Sequence, residues 1–208
     1  MIWLSVMAFL VTAISAAFIV RWARGHTLAY GQGMPQRFHV GHVPRLGGAA
    51  LMLGMSVSWL LGYLLWTFGD PGSLRLGEWV LLWIFTLMPS ALGGIAEDLT
   101  QRLSVRYRLL LTGASAVLAV WLLGLDVVRT GLAGGDWVLA GAPWVGALIV
   151  CLAVTGLPHA FNIIDGYNGL AGMVALIVCL ALAHVALQVD DRALAALLVS
   201  TAAATGGF

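Results

Sequence analysis

The sequence predicts an all-α protein, a polytopic helical bundle in a membrane with about six to seven transmembrane helices. Hydrophobic residues make up 61% of the 208 positions and charged residues only 9%, whereas soluble domains carry roughly 25% charged residues. The apolar residues are gathered in runs of about 20, the length that a helix needs to cross a bilayer. The net charge is +1, so no basic field favours nucleic acid and no such partner is expected.

The apolar runs set the predicted helices in chain order. The first run, 2–22, lacks the basic start of a signal peptide and exceeds its usual apolar length, which predicts a retained helix. The absence of an internal repeat or a low-complexity linker predicts a single domain over residues 1–208. Further helices are expected at 47–68, 78–96, 108–125, 144–160 and 169–188, with a seventh starting near 193.

The distribution of arginine predicts the orientation in the membrane. Seven of the ten arginines lie in or beside the loops 23–46 and 97–108. The positive-inside rule therefore places these loops in the cytoplasm and the N-terminus outside. Six of the nine acidic residues fall on the external side, and the three exceptions are Glu97, Asp98 and Asp165. An acid near the bilayer marks a function by default, although pairing with arginines at the headgroup level is an equally open alternative.

The external segment 126–143 is expected to form a short β-hairpin. Apolar residues alternate on either side of Gly134, Gly135 and Asp136, which read as its turn. The hairpin is expected to cap the outside of the bundle, and no chemistry is assigned to it.

Glu97 and Asp98 form an adjacent acidic pair at the predicted end of the third helix. Neighbouring helical residues point about 100° apart, but at a fraying helix end both carboxylates can bracket one cation. Such hard oxygen ligands suit Mg²⁺, which commonly bridges carboxylates to substrate phosphates. Arg106 and Arg108 follow at the start of the next helix, where a guanidinium suits phosphate oxygens. The alternative is an acidic loop beside ordinary positive-inside arginines.

The stretch HAFNIIDGYNGLAGM, residues 159–173, places polar residues between two apolar runs. Its glycines would break a helix and let a ligand approach the backbone. Asp-Gly and Asn-Gly are also ordinary turn pairs, but a turn does not explain four polar residues in register, which favours a site. On a helix the spacing of three would form one polar stripe, made of His159, Asn162, Asp165 and Asn168.

The stretch PRLGG, residues 44–48, leads into the second helix. Exposed amides and the positive dipole end at a helix start bind anions well. His39 and His42 precede it, but two loop histidines without a cysteine or a third histidine are weak candidates for a metal site.

Together these stretches resemble the polyprenyl-phosphate N-acetylhexosamine 1-phosphate transferases, which are glycosyltransferase family 4 of bacterial membranes. PRLGG, the acidic pair followed by SVRYR, and FNIIDGYNGLAG stand in the family's order, and the similarity runs through essentially the whole chain. PRLGG fits the branch that starts O-antigen, enterobacterial common antigen or teichoic-type glycans better than the branch that makes lipid I. The resemblance thus implies a role in cell-envelope polysaccharide synthesis, such as that of lipopolysaccharide.

The resemblance also implies roles for individual residues. Glu97 stands where the family usually has Asp, and His159 replaces a usual Asn. The implied catalytic residues are Glu97, Asp98 and Asp165. The implied metal ligands are Asp98, Asn162 and Asp165, and the implied substrate-binding residues are Arg45, Arg106, Arg108 and Asn168.

The implied reaction is attack by a polyprenyl (undecaprenyl) phosphate oxygen on the β-phosphorus of a UDP-N-acetylhexosamine, with release of UMP. The implied cofactor is Mg²⁺, with Mn²⁺ as the alternative. The implied location is the bacterial inner membrane, as a multi-pass protein whose active site faces the cytoplasm, and a homodimer is compatible with it.

The end of the chain, TAAATGGF, raises a further expectation. The family continues there with a G-D-x-G-S-like stretch that holds a metal Asp and with a His-rich cytoplasmic loop. The resemblance therefore implies the N-terminal part of a longer enzyme, inactive on its own. Two rivals are a non-catalytic remnant and a transporter, and the transporter predicts carboxylates near helix midpoints rather than at helix ends.

Overall fold

The computed structural model describes residues 1–22, 46–68, 76–100, 102–165, 167 and 169–208. All regular secondary structure over these residues is helical. The helices are α1 (Ile2–Trp22), α2 (Gly47–Phe68), α3 (Trp79–Thr100), α4 (Val105–Leu123), α5 (Ala133–Gly141), α6 (Trp144–Ile164), α7 (Leu170–Gln188) and α8 (Arg192–Gly207).

Six of these helices, α1 to α4, α6 and α7, are long and apolar enough to cross a membrane. Large apolar side chains are exposed along them, including Trp121 on α4 and Leu152 on α6. On a helix of this length such side chains find their apolar surroundings in lipid. The predicted all-α, polytopic membrane bundle is confirmed, and the seventh predicted helix is α8, which begins at Arg192.

The chain forms two compact units. The first comprises Met1–Val80 and Ile163–Phe208, and the second comprises Leu81–Asn162. In the first unit α8 packs against α1, α2 and α7, and α1 also packs against α2. The prediction of a single domain stays a prediction.

Small residues let α1 and α2 approach closely in the first unit. Gly54 lies against the side chain of Thr12, and a Cβ at Gly54 would stand 2.8 Å from the carbonyl oxygen of Ala8. The buried Ser58 hydroxyl donates a hydrogen bond of 2.7 Å to the carbonyl of Leu4. Close backbone approach at small residues, with a hydroxyl bonded across the interface, is typical of helix pairs in membranes.

A buried indole ties α2 to α8 in the same unit. Trp59 donates its Nε1–H to the Ser200 hydroxyl at 2.9 Å, and that hydroxyl donates in turn to the carbonyl of Leu197. Both side chains are buried. The indole N–H of Trp59 and the hydroxyl hydrogen of Ser200 are therefore both satisfied, as a low-dielectric surrounding requires.

In the second unit α3 and α4 run antiparallel. Pro89 lies inside α3 and has no amide hydrogen to donate. The next amide, that of Ser90, donates to the hydroxyl of Ser115 on α4 at 3.0 Å. One turn further along α3, Gly93 lies against Leu111. This order of contacts brings the end of α3 to the start of α4.

Contacts between α4 and α6 follow the same antiparallel order. Thr155 Oγ1 lies 3.9 Å from the Cβ position of Gly113. Beyond the other end of α4, the side chain of Asp126 contacts Gly146 near the start of α6. The end of α6 is thereby directed toward the start of α4.

The predicted β-hairpin at 126–143 is wrong, because this segment contains helix α5. Asp136 lies in its first turn, and its Oδ1 accepts hydrogen bonds from the amides of Thr130 (2.6 Å) and Gly131 (3.1 Å). Arg129 lies 3.6 Å from its other oxygen. These bonds, with that of the Thr130 amide first, hold the pKa of Asp136 below its ordinary value. A carboxylate bonded to preceding amides favours a helix start over a hairpin turn.

Candidate functional site

The acidic pair lies on regular helix rather than at a fraying helix end. Helix α3 continues to Thr100, whose hydroxyl donates to the carbonyl of Ala96 at 2.6 Å. Glu97 and Asp98 are both half-buried. Because consecutive residues point about 100° apart, the two carboxylates face different directions, and it is Glu97 that meets α4.

Glu97 and Arg108 form an ion pair where the end of α3 meets the start of α4. Glu97 Oε1 lies 3.9 Å from Arg108 Nη1, and the two side chains keep 23% and 27% of their surface exposed. The second carboxylate oxygen, Oε2, is buried and has no hydrogen-bond partner among the described residues. A buried carboxylate oxygen left in this state is free to accept from a cation or a donor. The pair thus presents a guanidinium and an unfilled acceptor side by side.

One turn further along α4, Thr112 connects the pair to α6. Its Oγ1 lies 3.1 Å from the carbonyl oxygens of both Arg108 and Leu109. The same atom lies 3.3 Å from Nε2 of His159 on α6. Asn162 follows one turn later, near the end of α6, and is exposed. The second unit therefore gathers Glu97, Arg108, Thr112, His159 and Asn162 at one end of its helices.

The predicted polar stripe is wrong at Asp165. Helix α6 ends at Ile164, so Asp165 follows the helix instead of extending its polar face. Asp165 is exposed, and its assignment as a catalytic and metal-binding residue stays a prediction. Gly169 precedes α7 with φ of +77°, a conformation that favours glycine.

Of the three further predicted substrate-binding residues, the structure describes Arg106 alone. Arg106 is exposed and stands two positions before Arg108, roughly 200° around the helix, so it faces another direction. Arg45 and Asn168 lie outside the described residues. The substrate-binding roles of all three stay predictions.

The donor set suits a hard cation only in part. Within the described ranges, no three His, Cys, Asp or Glu side chains gather closely enough to hold a metal by themselves. Mg²⁺ keeps several waters and takes one or two carboxylates plus substrate phosphates. The Oε2 of Glu97 offers one such carboxylate oxygen. Asp98 faces another direction, and its assignment as a catalytic and metal-binding residue stays a prediction.

Sequence reasoning assigned Thr112 no role and left that of His159 open. The signal was present in the spacing, since Thr112 stands four residues after Arg108 and His159 three before Asn162. Each is thus on the same helical face as a predicted site residue. The contact itself joins residues 47 positions apart, which spacing within one helix does not predict.

Comparison with known proteins agrees with this region's motifs. Residues 79–208 match the family model of glycosyl transferase family 4. The chain is 27% identical over 214 residues to the phospho-N-acetylmuramoyl-pentapeptide-transferase of Moorella thermoacetica, an alignment that covers 98% of this chain. The chain spans 64% of the length of that curated relative. No solved structure matches the chain significantly. The family model covers more than half of the sequence, and the chain belongs to glycosyl transferase family 4.

Proposed function

We propose that this membrane protein takes part in transferring a sugar 1-phosphate from a UDP-sugar to polyprenyl phosphate, with release of UMP. The observation that carries the proposal is the Glu97–Arg108 pair, with its unpartnered carboxylate oxygen, inside the region that matches the family. A guanidinium binds phosphate oxygens. A carboxylate beside it keeps the guanidinium in place until a phosphate arrives.

In the proposed reaction an oxygen of the lipid phosphate forms a bond to the β-phosphorus of the UDP-sugar. The bond between the β-phosphorus and its bridging oxygen breaks, and UMP leaves with the electron pair. A phosphate monoester has a second pKa near 6 and is mostly ionised at neutral pH, so no strong general base is required. Positioning and charge neutralisation carry such a transfer, and Arg108 supplies both to the phosphate that it contacts.

The proposal includes Mg²⁺, with Mn²⁺ as the alternative, as the cofactor. Asp98, Asn162 and Asp165 are its proposed ligands from the family motifs, and the open oxygen of Glu97 adds a further acceptor. A divalent cation supplies charge neutralisation to the diphosphate. Glu97 holds Arg108 within reach of the same phosphates. Arg108 then orients the donor and offsets the repulsion between the two phosphate-bearing substrates.

The proposed site faces the cytoplasm. Arg102, Arg106 and Arg108 lie in the loop between α3 and α4 or at the start of α4, which agrees with the cytoplasmic bias of arginine in membrane proteins. A water-soluble UDP-sugar reaches the site from that side, and the phosphate of the lipid acceptor lies at the same membrane surface. The proposed partners are these two substrates and the bilayer, with a homodimer left as an expectation.

The sugar donor has two candidates. PRLGG favours a UDP-N-acetylhexosamine and an O-antigen-like pathway. The similarity to a phospho-N-acetylmuramoyl-pentapeptide-transferase favours a UDP-N-acetylmuramoyl-pentapeptide donor instead. The two donors differ by a lactyl-peptide substituent, so a direct comparison of UMP release from each distinguishes them.

The test is a transfer assay on the full-length gene product in lipid nanodiscs, with undecaprenyl phosphate, Mg²⁺ and each donor in turn. Release of UMP by the wild type is expected, and Asp98→Ala and Asp165→Asn should each abolish it. Glu78→Gln is the matched control, because this exposed carboxylate stands just before α3, at the opposite end of the same helix. Wild-type rates in both Asp98→Ala and Asp165→Asn would rule out the proposed site.

A further inference from the structure

We infer that His159 is a positioning residue, whose hydrogen bond to Thr112 sets the register of α6 against α4 and so places Asn162 level with Arg108. The bond joins Thr112 Oγ1 to His159 Nε2 at 3.3 Å. We call these two side chains the Thr112–His159 clamp. Its existence rests on the structure alone, whereas its effect on sugar-phosphate transfer rests on the proposed function.

The placement follows from helix geometry. Thr112 lies four residues along α4 from Arg108, a rise of about 6 Å, and His159 lies three residues before Asn162 on α6, a rise of about 4.5 Å. Because the two helices are antiparallel, both displacements run in the same direction from the helix ends. Arg108 and Asn162 therefore lie within about 2 Å of one level along the helix axes. A slip of one helical turn, about 5.4 Å, would separate the phosphate-binding and metal-binding levels.

The hydrogen bond has a definite direction. A threonine hydroxyl carries one hydrogen and accepts through its lone pairs. Thr112 Oγ1 lies 3.1 Å from two carbonyl oxygens of its own helix, so its hydrogen is directed to them, as is common for threonine inside helices. The oxygen then accepts from His159, which requires the imidazole hydrogen on Nε2.

Among the described residues, the close contact of Asp126 with Gly146 holds the start of α6, so the clamp matters for the opposite end of that helix. None of its membrane-spanning window is buried. Thr155 Oγ1 lies 3.9 Å from the Cβ position of Gly113. This contact is small and apolar on the Gly113 side, so it allows the two helices to slide past one another. A hydrogen bond between polar groups in an apolar surrounding permits only one register. The clamp thus supplies the specificity that packing does not.

Side chains of different length at position 159 distinguish a positioning role of His159 from a role in stability alone. Gln places its amide nitrogen about where imidazole Nε2 lies, whereas the shorter Asn reaches only the position of Nδ1. We therefore expect His159→Gln to retain most activity, and His159→Asn and Thr112→Val to lower kcat by about three- to twentyfold, the range that loss of one interhelical hydrogen bond in a membrane implies. KM for the UDP-sugar should change by less than kcat, because the error lies in alignment and not in donor binding.

Ser115→Ala is the matched control. It removes a buried interhelical hydrogen bond of 3.0 Å in the same unit, but between α4 and α3. It should lower thermal stability as much as Thr112→Val while leaving kcat per folded molecule unchanged. Equal loss of kcat in Ser115→Ala and Thr112→Val, or wild-type kcat in His159→Asn, would overturn the positioning role.

A measurement independent of activity tests the clamp itself. In protein labelled with ¹⁵N-histidine, the signals absent from His159→Gln belong to His159. They should show the Nε2–H tautomer in the wild type and a mixture of tautomers in Thr112→Val. An Nδ1–H tautomer in the wild type, or no response to Thr112→Val, would contradict the clamp. If the wild type transfers no sugar phosphate from either donor, the proposed function fails, whereas these signals still decide the clamp.

Discussion

Replacing Glu97 by Gln removes one charge from the acid–arginine pair and keeps the length of the side chain. At 3.9 Å, the Coulomb attraction is about 4 kcal/mol for an effective dielectric constant of about 20, before desolvation is counted. Each side chain keeps about a quarter of its surface exposed, so water screens the pair. Exposed pairs contribute about 0–1 kcal/mol and breaking a buried pair costs about 3–5 kcal/mol. We expect Glu97→Gln to lower the free energy of unfolding by about 1–2 kcal/mol.

Two assays report the consequences. In a protein of this size, a loss of about 1–2 kcal/mol corresponds to a fall in Tm of about 2–8 °C, which scanning calorimetry in nanodiscs measures. The substitution also neutralises the unpartnered oxygen of Glu97 that the proposal gives to the cation. The Mg²⁺ concentration for half-maximal transfer should therefore rise by about tenfold or more.

Glu97→Asp separates the two effects, because it keeps the charge and shortens the reach by one methylene. We expect it to lose the contact with Arg108, and part of the stability, while its Mg²⁺ dependence stays closer to that of the wild type. A Glu97→Gln protein with an unchanged Tm and an unchanged Mg²⁺ dependence would refute the reasoning on both counts.

Three further predictions concern packing in the first unit and the start of α5. Gly54→Ala should lower the free energy of unfolding by about 1–3 kcal/mol, because its Cβ would press on the backbone of α1. Gly48→Ala is the control on the same helix, because a Cβ there meets nothing within 4 Å, and it should leave Tm nearly unchanged. Trp59→Phe should cost about 0.6–1.7 kcal/mol in thermal unfolding, the value of one interhelical hydrogen bond in a membrane, and an unchanged Tm would argue against the bond to α8. The hydrogen bonds to Asp136 lower its pKa below the ordinary value of 3.8. Their contribution to the stability of the start of α5 is complete above that ordinary value and is lost as the pH falls through the folded pKa. Trp137 fluorescence should report this acid transition in the wild type and not in Asp136→Asn.

The sequence predicted the long helices well because the membrane leaves few alternatives. A backbone in lipid must satisfy its own hydrogen bonds, so an apolar run of about 20 residues forms a helix. The helices α1 and α2 end where they were expected. Helix α5 was missed because nine residues at the membrane surface obey no such constraint. Its start depends on the Asp136 side chain reaching back to the amides of Thr130 and Gly131, which a pattern of apolar alternation does not contain.

The site could be predicted as a set of residues but not as a set of contacts. The motifs pointed to Glu97 and Arg108, and the structure pairs them. Which member of the acidic pair faces Arg108 depends on α3 remaining helical to Thr100, and the prediction ended that helix four residues early. The role of Thr112 was not predicted, because threonine commonly bonds to its own helix. Its local sequence therefore does not indicate a partner on another helix.

The order of polar groups along the second unit favours chemistry at one end of its helices over passage through them. The charged residues of α3 and α4 are confined to their adjoining ends, and α6 contains no Asp, Glu, Lys or Arg. Deeper polar side chains, such as Ser115 and Thr112, carry hydroxyls that bond between or within helices, and Ser115 accepts from the backbone amide of Ser90. An ion relay requires ionisable carboxylates along its path, whereas a transferase acting on a lipid phosphate requires charge only where the headgroup lies. In the proposed function, the charges at the helix ends bind phosphate, while Thr112 beneath them bonds to His159 and holds α4 and α6 in register.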